Sequence, residues 1–239
     1  YFTEDGIFGP KKLSLIPDYP NQNFLENKNI EHGEIYKFWE VSQKNIVSEN
    51  KIKFLKTHNA LIAAYGKQFT STKYSLGAIY IVRDPRNVLI SIKNHYDFEN
   101  YADALKFLMD DNTYVWGFNN NYAKSQIITS WRINYLSWIE KNKNIKRILI
   151  RYEDLIKTPE KTFEKIIKFI NEITKKNESV NGEKLKKAIT STTFENMQKI
   201  EESNQFEEKV HSEKTLKPKK FFHLGPKNNW RDTLDKEII

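Results

Sequence analysis

The chain has 239 residues, with 39 Lys plus Arg against 31 Asp plus Glu and a formal net charge of +8. That length suits one α/β domain with a sizeable core, and 15 Phe, 12 Tyr and 5 Trp argue against a disordered chain. Cysteine is absent, which excludes a disulfide framework, thiol catalysis and a Cys-based zinc site, and no apolar run is long enough for a membrane-spanning helix. A basic balance fits a polyanionic ligand such as a nucleotide, and equally nucleic acid or an acidic surface. The lysines are scattered over several segments, the usual mark of a solvated face, which ranks nucleic acid last.

In chain order, residues 1–29 carry Gly6, Gly9, Pro10, Pro17 and Pro20 and are expected to be irregular. Residues 34–47 have helical spacing of Ile35, Phe38, Trp39 and Val41. Residues 51–56 (KIKFLK) are expected to form a strand that ends at Lys56-Thr57-His58. A short helix is expected over 59–65, closed by Gly66, and a polar loop over 67–75.

The run 78–82 predicts a strand buried on both faces, and Arg83 ends it with a charge. Pro85 suits the first turn of a helix, which Val88, Leu89, Ile92 and Tyr96 continue. A helix over 101–109, a loop over 110–121 containing Tyr114, Trp116 and Phe118, and an amphipathic helix over 125–141 follow. Residues 146–151 (KRILIR) predict another strand, ending in Tyr152-Glu153-Asp154-Leu155. Helices are expected over 159–170, 182–189 and 193–201. A charged, mobile stretch is expected over 203–220, and a loop with a Gly-Pro turn over 221–231. Strands alternating with helices predict the α/β class, one domain with a central parallel sheet flanked by helices. No internal repeat or linker divides residues 1–239.

The strand, turn and helix around Arg83 make a ligand site of the kind found at the carboxyl end of a parallel sheet. A helix N-terminus offers unpaired N–H groups and a positive dipole end, and Arg83 adds a forked donor suited to phosphate. Asn87 and Ser91 sit four apart and share a helix face. The stretch is either an anion site or a turn that Arg83 and Ser91 merely solvate. Lys56-Thr57-His58 is a second candidate, also placed just after an expected strand.

These motifs resemble, in order, those of the sulfotransferases that use 3′-phosphoadenosine 5′-phosphosulfate. Arg83 followed eight positions later by Ser91 resembles the family's 3′-phosphate-binding element, and Lys56-Thr57-His58 resembles its Lys-Thr-His element. Tyr152 to Leu155 resembles the family's strand end, and Thr192-Thr193-Phe194 with Met197 the adenine-holding segment. Residues 221–230 resemble the late glycine loop that closes over the cofactor. Two departures stand out. The family's phosphosulfate loop is missing, and since the chain opens on Tyr1, that loop and the first strand are expected upstream of it. The late loop, Arg-Lys-Gly in the family, here begins His223-Leu224-Gly225.

The resemblance implies sulfuryl transfer to a hydroxyl or, less favoured, an amine of a small-molecule or carbohydrate acceptor. His58 is then the general base and Lys56 a point charge beside the departing phosphate. Arg83 and Ser91 bind the 3′-phosphate, Tyr152 and Phe194 flank the adenine, and Thr192 and Thr193 donate to it. Gly225 and Lys227 belong to the closing loop. Adenosine 3′,5′-bisphosphate is the product, no metal is required and a cytoplasmic location is expected. Taken from the residues alone, Tyr152 and Phe194 equally suit core positions and Thr192 and Thr193 equally suit helix caps. The alternative function is a catalytically degenerate nucleotide-binding module of the same fold.

Overall fold

The structure, a computed structural model, describes residues 36, 39–47, 52–117, 121–141, 144–203, 205–206, 210–212, 215 and 217–238. Its elements in chain order are α1 (Trp39–Val47), β1 (Ala63–Ala64), β2 (Lys67–Gln68), β3 (Gly77–Val82), α2 (Pro85–His95) and α3 (Tyr101–Met109). There follow β4 (Tyr114–Gly117), β5 (Asn121–Ile127), α4 (Trp131–Leu136) with a π-helical turn over Ser137–Lys141, β6 (Lys146–Arg151) and α5 (Tyr152–Lys157). The rest is α6 (Pro159–Thr174), α7 (Gly182–Ser191), α8 (Phe194–Glu202), β7 (Val210–His211) and β8 (Pro218–Lys219), then two short 3-10 turns at Gly225–Lys227 and Trp230–Asp232. The expected irregular segment 1–29 lies outside the described residues.

Two compact units share the chain, Tyr1–Gly77 with Asp110–Lys146 and Ala78–Met109 with Arg147–Ile239. In the first, Tyr36, Trp39, Ala60, Leu61, Phe69, Ile127 and Trp138 are buried. Trp39 meets Tyr36 and Phe69 edge-on, with ring centroids 4.9 and 5.3 Å apart. The buried Gln43 amide donates to the Trp39 and Phe69 carbonyls at 3.0 and 2.7 Å, so a polar group inside the core is satisfied by the backbone.

Several expectations fail in this unit. Residues 52–60 form no strand, and Ile52, Phe54 and Leu55 are exposed. An alternating apolar run becomes a strand only where another strand takes up its backbone groups, and among the described residues none does. The short helix expected over 59–65 is instead the hairpin β1–β2, in which Tyr65 (φ 49°) and Gly66 (φ 75°) supply the two left-handed turn residues. Gly66 therefore closes a hairpin turn and not a helix. The expected loop 110–121 and the start of the expected helix 125–141 form the antiparallel pair β4–β5, with a bulge between Val115 and Gly117. The helix begins at Trp131, where the Ser130 hydroxyl accepts from the Ile133 N–H. Cross-strand pairing and this cap override the helical spacing of Ile127 and Ile128.

The second unit follows the sequence closely. β3 and β6 pair as a parallel sheet with helices around it. With two strands in the sheet among the described residues, Ile81 and Leu149 stay exposed, so β3 is not buried on both faces. Pro85 is the first residue of α2, and the Asp84 carboxylate caps the helix by accepting from the Arg86 N–H. Leu89 and Ile90 of α2, Ala104 of α3 and Leu234 form the buried cluster, with Leu224, Trp230 and Tyr101 packed on it. The residue after β6 starts α5, so Tyr152 to Leu155 is helical. Beyond α2, Asp97 accepts from Lys219 at 2.8 Å and from the Ser212 hydroxyl at 2.6 Å. These bonds tie the β7–β8 pair to the end of that helix.

Candidate functional site

The second unit holds eight of the ten singled-out residues: Arg83, Ser91, Tyr152, Thr192, Thr193, Phe194, Gly225 and Lys227. Lys56 and His58 belong to the first.

Arg83 leaves the end of β3 half-buried. Its guanidinium lies over the Tyr152 ring, 4.1 Å from the centroid, and its Nη2 donates to the Gly225 carbonyl at 2.8 Å. Burial pulls the guanidinium pKa down, opposed by Tyr152, Glu153 and Asp84, while burial pushes the Tyr152 phenol up. An arginine nonetheless remains charged. Its Nε is buried and has no hydrogen-bond partner.

Gly225 has φ +50°, and a Cβ there would run into the Phe194 ring. Both facts call for glycine at this position, because only glycine accepts that backbone and that close approach. Phe194 in turn meets Phe222 edge-on at 6.2 Å.

Ser91 is exposed on α2. Its hydroxyl donates to the Asn87 carbonyl at 3.3 Å and accepts from the Asn228 amide at 3.1 Å. The same amide donates to the Asn87 carbonyl at 2.9 Å, and the Asn87 side chain accepts from the Trp230 N–H at 2.9 Å. Two guanidinium groups lie over the Trp230 indole, Arg86 at 3.7 Å and Arg231 at 4.4 Å from a ring centroid. Arg86 also forms an ion pair with Asp84 at 2.8 Å, which holds the Asp84 carboxyl below its ordinary value. The Asp84 N–H donates to Glu153 at 3.1 Å, so Glu153 serves the turn structurally.

The two threonines act as caps. The Thr192 hydroxyl donates to the Ala188 carbonyl at 2.8 Å at the end of α7, and Thr193 caps α8 by accepting from the Asn196 N–H at 3.3 Å. Lys227 is exposed, and its N–H closes the late turn on the Leu224 carbonyl at 2.9 Å.

In the first unit the 56–60 segment is fixed through its backbone. The His58 N–H donates to Gln126 at 2.8 Å, and its carbonyl accepts from Asn134 at 3.1 Å. The buried Asn59 accepts from the Ile127 N–H at 2.8 Å with its side chain and from the Trp138 indole at 2.9 Å with its carbonyl. The His58 ring is exposed beside this anchored point.

Sequence reasoning missed Asn228, Trp230 and Arg86 as members of the constellation. Asn228 gave no signal of its own. Trp230 and Arg86 carried one, an aromatic and a cation within the two motif stretches.

A parallel strand leading through a tight turn into a capped helix, with an arginine at the strand end, is an α/β arrangement that offers a ligand position at the strand's carboxyl end. The sulfotransferase-domain family model matches residues 13–239. The chain therefore belongs to the sulfotransferase domain family. Sulfotransferase 2A1 of Macaca fascicularis is 25% identical over 195 residues, covering 82% of this chain and 59% of the relative. The chain thus spans a little under three fifths of that relative's length. Two solved structures of retinol dehydratase share the fold. The complex with androsterone and the inactive cofactor PAP has a TM-score of 0.54 at 17% identity over 97% of this chain and 63% of that one. The complex with retinol and PAP has a TM-score of 0.53 at 18% identity over 82% and 53%. Among the described residues no helix is long and apolar enough to cross a membrane.

Proposed function

We propose that the protein transfers a sulfuryl group from 3′-phosphoadenosine 5′-phosphosulfate to a hydroxyl of a small-molecule or carbohydrate acceptor, as a single sulfotransferase-type domain. The observation that carries the reading is Arg83, half-buried over Tyr152 and bonded to the late-loop Gly225, with its Nε left unpartnered. A buried donor without an acceptor is rare and suits an anionic ligand. The residues present therefore fit the 3′-phosphate end of this nucleotide. Family membership and the PAP bound in the retinol dehydratase structures support the same choice.

When bound, the nucleotide supplies an activated sulfuryl group. Arg83 and Ser91 hold its 3′-phosphate, and Tyr152 and Phe194 supply aromatic surface for the adenine. Thr192 and Thr193 border that surface while capping their helices, and Gly225 and Lys227 close over it. Lys56 neutralises charge at the departing phosphate, and His58 takes the proton from the acceptor hydroxyl. Anchoring of Asn59 on both sides supports a fixed position for the His58 backbone.

Transfer of labelled sulfuryl groups to a panel of hydroxylated acceptors tests the reading. His58→Ala is expected to lower kcat by about 10²- to 10⁴-fold, with nucleotide affinity kept. Transfer at the parent rate contradicts the assignment of the base. Tight nucleotide binding with no transfer by the parent protein to any acceptor points instead to a degenerate binding module.

A further inference from the structure

Asn228 is bonded to Asn87, Ser91 and Gly225, with one half of its amide unused. The residue is buried, at 6% exposure. Nδ2 is fixed by the Asn87 carbonyl, which can only accept, so the amide orientation is set and Oδ1 is the atom left over. That Oδ1 is buried with no hydrogen-bond partner. The Asn228 N–H donates to the Gly225 carbonyl at 3.2 Å, the same oxygen that takes Arg83 Nη2 at 2.8 Å. Arg83 and Asn228 thus meet at one carbonyl, and each leaves one buried polar atom unpaired. The two atoms are of opposite kind: Arg83 Nε can only donate and Asn228 Oδ1 can only accept.

A phosphate satisfies the first and repels the second, since its ionised oxygens only accept. A hydroxyl carried beside the phosphate is a donor that satisfies the second. A ribose 3′-phosphate carries one on the neighbouring carbon. We infer that Asn228 Oδ1 accepts a hydrogen bond from the 2′-hydroxyl of a ribonucleoside 3′-phosphate held by Arg83 and Ser91. Asn228 is then a specificity residue, selecting ribonucleotides over 2′-deoxyribonucleotides. The inference rests on the nucleotide reading above and adds the ribose to it.

Calorimetric titration of the protein with adenosine 3′,5′-bisphosphate and with its 2′-deoxy counterpart tests it. Leaving a buried acceptor unmatched predicts that the parent protein binds the ribonucleotide roughly 10- to 100-fold more tightly. Asn228→Leu, of similar shape without the acceptor, should bring the ratio close to one, and Asn228→Ala serves the same purpose if the leucine variant does not fold. Ser91→Ala should weaken both ligands and keep the ratio, because Oδ1 remains. A parent ratio near one overturns the inference whatever the variants do, as does a ratio above ten that survives Asn228→Leu or Asn228→Ala. Failure of both nucleotides to bind the parent protein overturns the nucleotide reading and this inference with it. Binding of both with equal affinity overturns this inference alone.

Discussion

The two stretches that carry the proposed chemistry are held in contrasting ways. Arg83 to Ser91 is built into regular structure: a strand end, an Asp84-capped helix and the buried pair Leu89 and Ile90. The late loop then bonds to it through Asn228, Trp230 and Gly225. Lys56 to His58 has no regular structure, and its fixed point is the neighbouring Asn59, locked on both sides. A binding site gains from many side chains fixed together, whereas a base needs one ring near its substrate. The contrast teaches that affinity and rate should separate by stretch.

The largest expected effect sharpens that contrast. His58→Ala should lower turnover by about 10²- to 10⁴-fold while leaving nucleotide affinity unchanged. Arg83→Ala should do the reverse first, weakening adenosine 3′,5′-bisphosphate by roughly 10- to 150-fold, the value of a charge-assisted hydrogen bond. Calorimetry beside single-turnover kinetics checks both, and a loss of affinity in His58→Ala would break the comparison.

Gly225→Ala comes next. A side chain at φ +50° against Phe194 should cost about 1–3 kcal/mol of stability, read as a lower Tm, and should weaken the bisphosphate by moving the carbonyl that Arg83 uses. An unchanged Tm would mean that the late loop is not held as described.

The smallest effect concerns Asp84. Its carboxyl, hydrogen-bonded first of all by the Arg86 side chain, sits below its ordinary 3.8 in the folded protein. A lowered folded value means that the ion pair contributes fully above about pH 3.8 and is lost as the pH falls through the folded value beneath it. Asp84→Asn keeps the cap and removes the charge, so the parent should be slightly more stable at neutral pH, the Arg86 side chain being partly exposed. The gap should close in acid. Denaturant melts of both proteins at neutral and acid pH check this, and a gap that widens in acid would contradict the sign.

The second unit was legible because its signals are local. An apolar run stopped by Arg83, a proline at the first helical position and helical spacing after it belong to one stretch, and the structure keeps them. The first unit was not, because its determinants are pairings between distant residues. Ile127 looked helical by spacing, yet it pairs with Tyr114 and binds the Asn59 side chain. Residues 51–56 had the composition of a strand, and the described part, from Ile52 on, makes none. The site shows the same division. Arg83 and Ser91 were singled out from a motif, and Gly225 from the resemblance to a late glycine loop. Asn228 became visible only through its bonds to Asn87 and Ser91, far away in sequence.

The central claim is that the Arg83 site is built for a 3′-phosphate, and titrating the protein with adenosine 3′,5′-bisphosphate and with adenosine 5′-monophosphate tests it most directly. The account predicts binding of the bisphosphate at least 10-fold tighter in the parent protein, with the preference gone in Arg83→Ala. Equal affinity for the two nucleotides, or a preference that survives the loss of Arg83, would contradict it.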